Sequence, residues 1–148
     1  MREIKFRGKA KMSVEELDKL QIEHTDGWVF GSLITNNGSP YIVGDIADQG
    51  DEYIAHEWWV AVDSETVGQF INTVDIMSRE VYEGDVLFHD EGDFSFTAQV
   101  KHGGYEWYLD TISPIDCYSF DDFYEDESVD ASVIGNIHDN PELLEVQP

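Results

Sequence analysis

Residues 94–101, Phe-Ser-Phe-Thr-Ala-Gln-Val-Lys, alternate apolar and polar side chains without interruption. In an extended chain this alternation places Phe94, Phe96, Ala98 and Val100 on one face and the polar side chains on the other. The pattern is typical of a β-strand with one face in the core and the other in water. We therefore predict a half-buried strand here, preceded by a turn at residues 89–93 and followed by one at residues 102–104.

The same reasoning, extended outward, predicts a β-rich region from residue 81 to residue 137. Further strands are expected at residues 86–88, 105–109 and 133–137, and Ser119 is expected to cap one or two helical turns at residues 119–124. Pro141 suits the first position of a brief terminal helical turn. Short strands joined by glycine-containing turns suggest a small β-barrel.

The amino-terminal part predicts a short helix and a hairpin. Ser13 and Glu16 form a capping box, and Val14, Leu17 and Leu20 form one apolar stripe at helical spacing. Residues 28–34 and 41–43 flank Asn37-Gly38, a pair that favours a type I′ hairpin turn. Residues 46–52 are polar and predict a loop, whereas residues 58–62 are apolar on both faces and predict a strand covered on both sides.

Together these patterns predict an α+β chain with two subdomains. The first, residues 1–75, holds the helix and the hairpin, and the second, residues 76–148, is a small β-barrel with a short carboxyl-terminal turn. A length of 148 residues fits one domain or two tightly joined subdomains, with a core that needs no disulfide.

The charge is strongly acidic and unevenly placed. Residues 1–19 hold six basic and four acidic side chains, whereas residues 20–148 hold two basic and 28 acidic ones, a net charge of −26. Such a field repels phosphates and anionic lipids, so we expect neither direct nucleic-acid binding nor membrane association. An aromatic content of 13% indicates that this charge lies on a folded body.

The cellular setting is expected to be the cytoplasm. Cys117 is the single cysteine, which suits a reducing compartment. The first residues lack the apolar segment of a secretory signal, and no apolar run approaches the roughly 20 residues that span a bilayer.

The candidate chemical groups favour structural roles, so no catalytic, cofactor-binding or metal-binding residue is predicted. Glu83-Gly84-Asp85 is expected to be turn chemistry at the start of a strand. The five histidines lack zinc-helix spacing, although the pairs at 56–57, 89–90 and 138–139 could converge in space. The acidic stretches 90–93 and 121–130 do not match a calcium loop, and Cys117 beside Asp116 is not expected to be a nucleophile.

Three stretches, in this order, make the chain resemble the YopX family of phage and prophage proteins. They are residues 1–7 (Met-Arg-Glu-Ile-Lys-Phe-Arg), residues 66–70 (Thr-Val-Gly-Gln-Phe) leading to 81–87 (Val-Tyr-Glu-Gly-Asp-Val-Leu), and residues 133–145 (Val-Ile-Gly-Asn-Ile-His-Asp-Asn-Pro-Glu-Leu-Leu-Glu). The resemblance implies an α+β part followed by an SH3-like barrel, a phage or prophage source, and action in the bacterial cytoplasm. Residues 71–80 lack the glycines usual in the family, so a different local hairpin is expected there.

Two hypotheses for the function remain open at this point. The first is a non-catalytic module that binds a host or viral protein through aromatic side chains such as Trp28, Trp58, Trp59, Tyr105 and Trp107, most of which are expected to be in the core. The second is a DNA mimic that inhibits a host DNA-binding protein through rows of carboxylates. An enzyme is not expected, and the sequence leaves the oligomeric state and the identity of the partner open.

Overall fold

The computed structural model describes residues 2–112, 115–125 and 127–145 of the chain. The chain divides into two compact units, Met1–Gln69 and Phe70–Pro148. Strands account for 54% of the structure, and the pairings among the described residues form three sheets. Within the described ranges, no helix is both long and apolar enough to cross a membrane.

The first unit consists of antiparallel strands and one short helix. In chain order its elements are β1 (Phe6–Lys9), α1 (Val14–Lys19), β2 (Trp28–Asn36), β3 (Ser39–Val43), β4 (Ile46–Gln49), β5 (Ile54–His56), β6 (Trp59–Ala61), a 3-10 turn (Ser64–Thr66) and the start of β7 (Gly68–Val74). The start of β7 pairs with β1, and the order continues through β2 and β3 to β6. The predicted loop at residues 46–52 is wrong, because β4 and β5 form a separate two-stranded ribbon.

The hairpin between β2 and β3 confirms the prediction from Asn37-Gly38. Asn36 pairs with Ser39, so the connection is a two-residue loop. Asn37 has φ 53° and Gly38 has φ 81°, the two positive angles that a type I′ turn requires. Local sequence chemistry therefore sets the register of this hairpin.

The helix starts where the capping box predicts, but its buried face is narrower than expected. The Ser13 Oγ accepts a hydrogen bond from the Glu16 backbone N–H at 3.1 Å. Leu17 is fully buried, whereas Val14 and Leu20 are 43% and 60% exposed. A six-residue helix makes fewer than two turns, so only one apolar position reaches the core.

The second unit is also almost entirely β. After β7 its elements are β8 (Glu80–Tyr82), β9 (Asp85–Asp90), β10 (Ser95–Gly103), β11 (Glu106–Ile112), β12 (Ile115–Ser119), a 3-10 turn (Phe120–Phe123), β13 (Tyr124–Glu125), β14 (Ser128–Val129), β15 (Ser132–Asn136) and a second 3-10 turn (Pro141–Leu144). The five-stranded sheet has the order β12-β11-β10-β9-β15, with every pair antiparallel. β10 confirms the half-buried strand, because Phe96, Ala98 and Val100 are buried.

The predicted fold class is wrong in two respects. One helix of six residues does not make a substantial α+β fold, so the chain is mostly β. The SH3-like barrel is also absent from the described part of the chain, where the sheets are open. In the five-stranded sheet β12 and β15 are edges, because their recorded pairings are with β11 and β9 only. A barrel would require the first and last strands of that sheet to pair with each other.

Asp75 organises the turn between β7 and β8, the segment that lacks the family's usual glycines. Its Oδ1 accepts hydrogen bonds from the backbone N–H groups of Met77 and Arg79, both at 2.9 Å. Its Oδ2 accepts from the Val133 N–H at 2.8 Å and from the Arg79 Nε at 2.9 Å. Ser78 adopts a positive φ of 63° in this turn. The carboxylate of Asp75 thus holds a turn that has no glycine to ease it.

These bonds predict a specific dependence of stability on pH. Burial alone would raise the pKa of Asp75, but the hydrogen bonds from Val133, Arg79 and Met77 outweigh it and hold the pKa below the ordinary value of 3.8. Because the pKa of Asp75 is lowered in the folded state, its carboxylate stabilises the fold fully at pH values above its ordinary pKa. This stabilisation is lost as the pH falls through the lower pKa of the folded state. We expect the difference in unfolding free energy between wild type and Asp75→Asn to shrink as the pH falls below about 3.8. Urea unfolding of both proteins at a series of pH values measures this difference in unfolding free energy. A difference that does not change with pH would contradict the prediction.

Candidate functional sites

One face of β2, β3 and β6 carries the exposed Ile34 and Trp59, the half-buried Tyr41 and, beside them, the buried Val43. Ile34 on β2 is paired with Tyr41 on β3, and Val43 on β3 is paired with Trp59 on β6. Side chains alternate along a strand, so Ile34, Tyr41 and Trp59 lie on the same face. We call these three residues the outer face.

The opposite side of the same strands is the core of the first unit. Leu33, Ile42 and Val60 are paired across β2, β3 and β6 and belong to one apolar cluster with the fully buried Leu17. The outer face therefore has no part in that core. The prediction that residues 58–62 are covered on both sides is wrong, because Trp59 is 67% exposed.

Trp59 is held in a defined position on the outer face. Its ring contacts that of Tyr41 edge to face, with centroids 5.7 Å apart and an interplanar angle of 74°. Ile34 beside them is 45% exposed. Edge-to-face packing of this kind favours the observed position of the indole without covering it, so part of the cost of ordering the ring on binding is already met.

An acidic ribbon continues from the two strands that carry Tyr41 and Trp59. Backbone hydrogen bonds from Gly44 to Trp58 and from Glu57 to Asp45 join the β3–β6 pair to the β4–β5 pair. Five exposed carboxylates lie on residues 45–57, which we call the acidic ribbon: Asp45, Asp48, Asp51, Glu52 and Glu57. The sequence contains no Lys or Arg from residue 20 to residue 78. The surroundings of the outer face are therefore strongly negative.

A second candidate site lies in the second unit, around His89. His89 is 1% exposed and is surrounded by the rings of Phe94, Phe96 and Phe123, with centroids 6.0, 5.1 and 4.8 Å away. Its Nδ1 lies 2.6 Å from the backbone carbonyl oxygen of Asp130. A carbonyl only accepts hydrogen bonds, so Nδ1 carries the proton.

The other ring nitrogen of His89 faces a carboxylate without a hydrogen bond. Nε2 lies 3.3 Å from the Glu91 Oε1, but it has no hydrogen-bond partner with acceptable geometry. The Asp130 Oδ2 lies 3.9 Å from Nδ1. One ligand atom each from His89, Glu91 and Asp130 can be chosen so that all lie within 4.8 Å of one another. Of the groups that the described residues could offer to a metal ion, this is the one that the structure brings together.

The remaining sequence candidates have structural roles or stand apart. The Asp85 Oδ2 accepts a hydrogen bond from the Tyr82 N–H at 2.8 Å beside Gly84, whose φ is 91°, which confirms the turn role of residues 83–85. His89 meets Glu91 rather than its neighbour Asp90, and it does so in a strand and not in the predicted turn. Cys117 is exposed.

Three of the other histidines have partners of their own. The His24 Nε2 lies 2.7 Å from the Asp18 Oδ1, and the His56 Nδ1 lies 2.7 Å from the Gly44 carbonyl oxygen. The His102 ring packs against Trp107, with centroids 4.6 Å apart. The group of described residues that could hold a metal ion contains one of the histidines considered from the sequence, His89, with Glu91 and Asp130.

Comparisons with known proteins add one family and one fold. The family model described as YopX protein matches residues 5–145. No curated protein matches the chain. A solved structure similar to this fold is the crystal structure of protein EF1440 from Enterococcus faecalis. The match has a TM-score of 0.57 at 18% identity and covers 98% of this chain and 100% of the other.

Proposed function

Since the chain belongs to the YopX protein family, we propose that it is a non-catalytic protein-interaction module. It would be of phage or prophage origin and would act in the cytoplasm of the bacterial host. The observation that carries this proposal is Trp59, which is 67% exposed and ordered by its contact with Tyr41. Tryptophan and tyrosine are the residues most often found at the energetic centres of protein interfaces.

The chemistry of the outer face supports binding rather than catalysis. Ile34 contributes a hydrocarbon side chain, Tyr41 and Trp59 contribute aromatic rings, and the opposite side of the strands packs into the core. A rigid apolar face on a sheet is suited to contact with a complementary apolar patch. We therefore assign the outer face as the docking surface of the module.

The charge around this face indicates the kind of partner. The acidic ribbon and the absence of Lys and Arg from residues 20–78 favour a partner whose apolar patch is bordered by basic residues. Opposite charges at the border accelerate encounter and make the association rate fall with salt, whereas the buried aromatic centre sets the dissociation rate. The proposed partner is therefore a basic host or viral protein.

Capture from a host lysate tests this proposal with matched variants. We expect wild type and Tyr105→Ala to capture the same basic protein, because Tyr105 is 97% exposed in a turn of the other unit. Trp59→Ala is expected to reduce capture at least about tenfold, as for the loss of a central aromatic contact. Equal capture by Trp59→Ala and wild type would contradict the proposal.

The DNA-mimic alternative makes a different prediction in the same experiment. Its support is the acidic ribbon, whose carboxylates could take the place of phosphates for a DNA-binding protein. A mimic would depend on charge and not on the indole ring. Capture that survives Trp59→Ala but disappears in high salt, with a DNA-binding protein as the captured species, would favour the mimic over the interaction module.

A further inference from the structure

The unpaired ring nitrogen of His89 points to a site that the proposed function does not use. We propose that His89, Glu91 and Asp130 bind one divalent transition-metal ion, with Nε2 of His89 as the nitrogen ligand. Zn²⁺ is the ion that we use to describe and to test the site.

The tautomer of His89 leaves Nε2 free to bind a metal ion. Its Nδ1–H donates to the Asp130 carbonyl oxygen at 2.6 Å, so the lone pair of the neutral ring lies on Nε2. Histidines that ligate metals almost always donate their other ring N–H to a carbonyl or carboxylate in this way, because that bond fixes the ring orientation. The backbone of Asp130 thus orients the ligand atom.

A cation between Nε2 and Glu91 would satisfy both groups. A lone pair on Nε2 and a carboxylate oxygen 3.3 Å away repel each other unless positive charge lies between them. A proton on Nε2 would supply that charge through an aligned N–H···O bond, but the contact lacks hydrogen-bond geometry. It would also bury an imidazolium among three phenylalanine rings, which is costly. A metal ion bound by both atoms needs no such alignment of N, H and O.

The distance also fits a metal ion. Zinc binds imidazole nitrogen and carboxylate oxygen at about 2.0–2.2 Å, so neighbouring ligands of a tetrahedral site lie about 3.4 Å apart. The separation of Nε2 and Oε1 is 3.3 Å. Asp130 offers a carboxylate oxygen to the same group, in which one ligand atom from each of the three residues lies within 4.8 Å of the others. Three protein ligands would leave a fourth position for water.

The carboxylates are placed for ion entry and are not neutralised by the unit's other charges. The side chains of Glu91 and Asp130 are 57% and 46% exposed, so a hydrated ion can reach these two carboxylates from solvent, and Nε2 of His89 lies buried behind them. The Glu91 N–H donates to the Phe94 carbonyl at 2.8 Å, which holds the turn that carries this ligand. From residue 70 onward the only Lys and Arg are Arg79 and Lys101, and these form ion pairs with Asp75 and Asp110.

The donor set selects transition metals over the abundant hard cations. Mg²⁺ and Ca²⁺ prefer oxygen ligands alone, whereas imidazole nitrogen favours zinc and its neighbours in the first row. Weak binding of hard cations is expected all over so acidic a surface. The proposed site should therefore keep Zn²⁺ in the presence of excess Mg²⁺, and the general surface should not.

Titration of Zn²⁺ into the chelator-treated full chain, with Mg²⁺ in large excess, tests the proposal. We expect one equivalent of Zn²⁺ to bind, and Glu91→Gln to weaken this binding at least about tenfold. Asp90→Asn is the matched control, because it makes the same charge change one residue away while its side chain can still accept the Gly92 N–H. Equal weakening by both variants, or no Zn²⁺ binding that survives Mg²⁺, overturns the proposal.

Nitrogen NMR of the histidine rings provides a second readout in the wild-type chain, so it does not depend on the folding of a variant. We expect Zn²⁺ to shift the Nε2 resonance of His89 and to leave its Nδ1 proton in place. If the shift falls on the other histidines and spares His89, the site assignment is overturned.

Discussion

Asp75→Ala is expected to destabilise the second unit more than any other single carboxylate substitution in that unit. The side chain of Asp75 is fully buried and accepts three backbone hydrogen bonds and one from Arg79. Its removal leaves the N–H of the half-buried Val133 and those of the exposed Met77 and Arg79 without this acceptor, at an expected cost of about 2–4 kcal/mol. That is a large fraction of the stability of a typical domain.

Two further variants identify the cause of this loss. Asp93→Ala removes an exposed carboxylate from another turn of the same unit and is expected to change stability little. Arg79→Ala removes the side chain beyond Cβ, which is 52% exposed, and keeps the backbone N–H that donates to Asp75. We therefore expect a small effect from Arg79→Ala. Urea unfolding measures the loss of stability in each variant, and hydrogen exchange at the Met77, Arg79 and Val133 amides shows which hydrogen bonds are lost. Equal losses of stability in all three variants would contradict the prediction.

Gly31→Ala is expected to disrupt the sheet of the first unit. A Cβ atom at Gly31 would overlap the backbone carbonyl oxygen of Val43 and would also press on the Ile42 side chain. Backbone in the middle of a paired strand cannot move aside without losing its hydrogen bonds, so we expect a cost of about 2–4 kcal/mol.

The neighbouring Ser32→Ala is the control for Gly31→Ala. Ser32 lies on the same strand and is exposed, so the loss of its hydroxyl is expected to change stability by less than about 0.5 kcal/mol. Thermal unfolding followed by circular dichroism compares the two variants. If the two variants are equally stable, β2 and β3 can move apart at this point and the prediction is wrong.

The features that the sequence predicted correctly depend on neighbours in the chain. Asn37-Gly38 specifies a type I′ turn whatever the rest of the fold does, and Ser13 with Glu16 specifies a helix start. The alternation in residues 94–101 likewise predicts β10, because the period of side chains in a strand is local. These elements position most of the sheet framework in both units.

The features that the sequence did not reveal depend on distant pairing. Whether short strands close into a barrel is decided by which edges meet, and β12 and β15 remain edges of an open sheet. The exposure of Trp59 depends on how few elements cover β6. A run of apolar residues in the sequence does not indicate how many elements will pack against the strand. Its neighbours Val60 and Val62 are buried as the pattern predicts.

The site around His89 could be predicted only in part. The sequence showed histidine next to acidic residues, and an inward position for His89 would have followed from extending the predicted strand beyond residue 88. Its contact with Asp130 joins residues 41 positions apart, and nothing in the local pattern indicates that meeting. Of the rings around it, Phe96 lies opposite in the next strand, β10, whereas Phe123 comes from the turn Phe120–Phe123, which is distant from it in the chain.

The central claim is that the outer face of β2, β3 and β6 is the surface that contacts a partner. Photo-crosslinking tests it most directly, with a benzophenone side chain introduced in host cells at position 59 or, as control, at position 105. The account predicts one major crosslinked protein from position 59, basic in composition, and none of it from position 105. The same product from both positions, or products from position 105 alone, would contradict the claim.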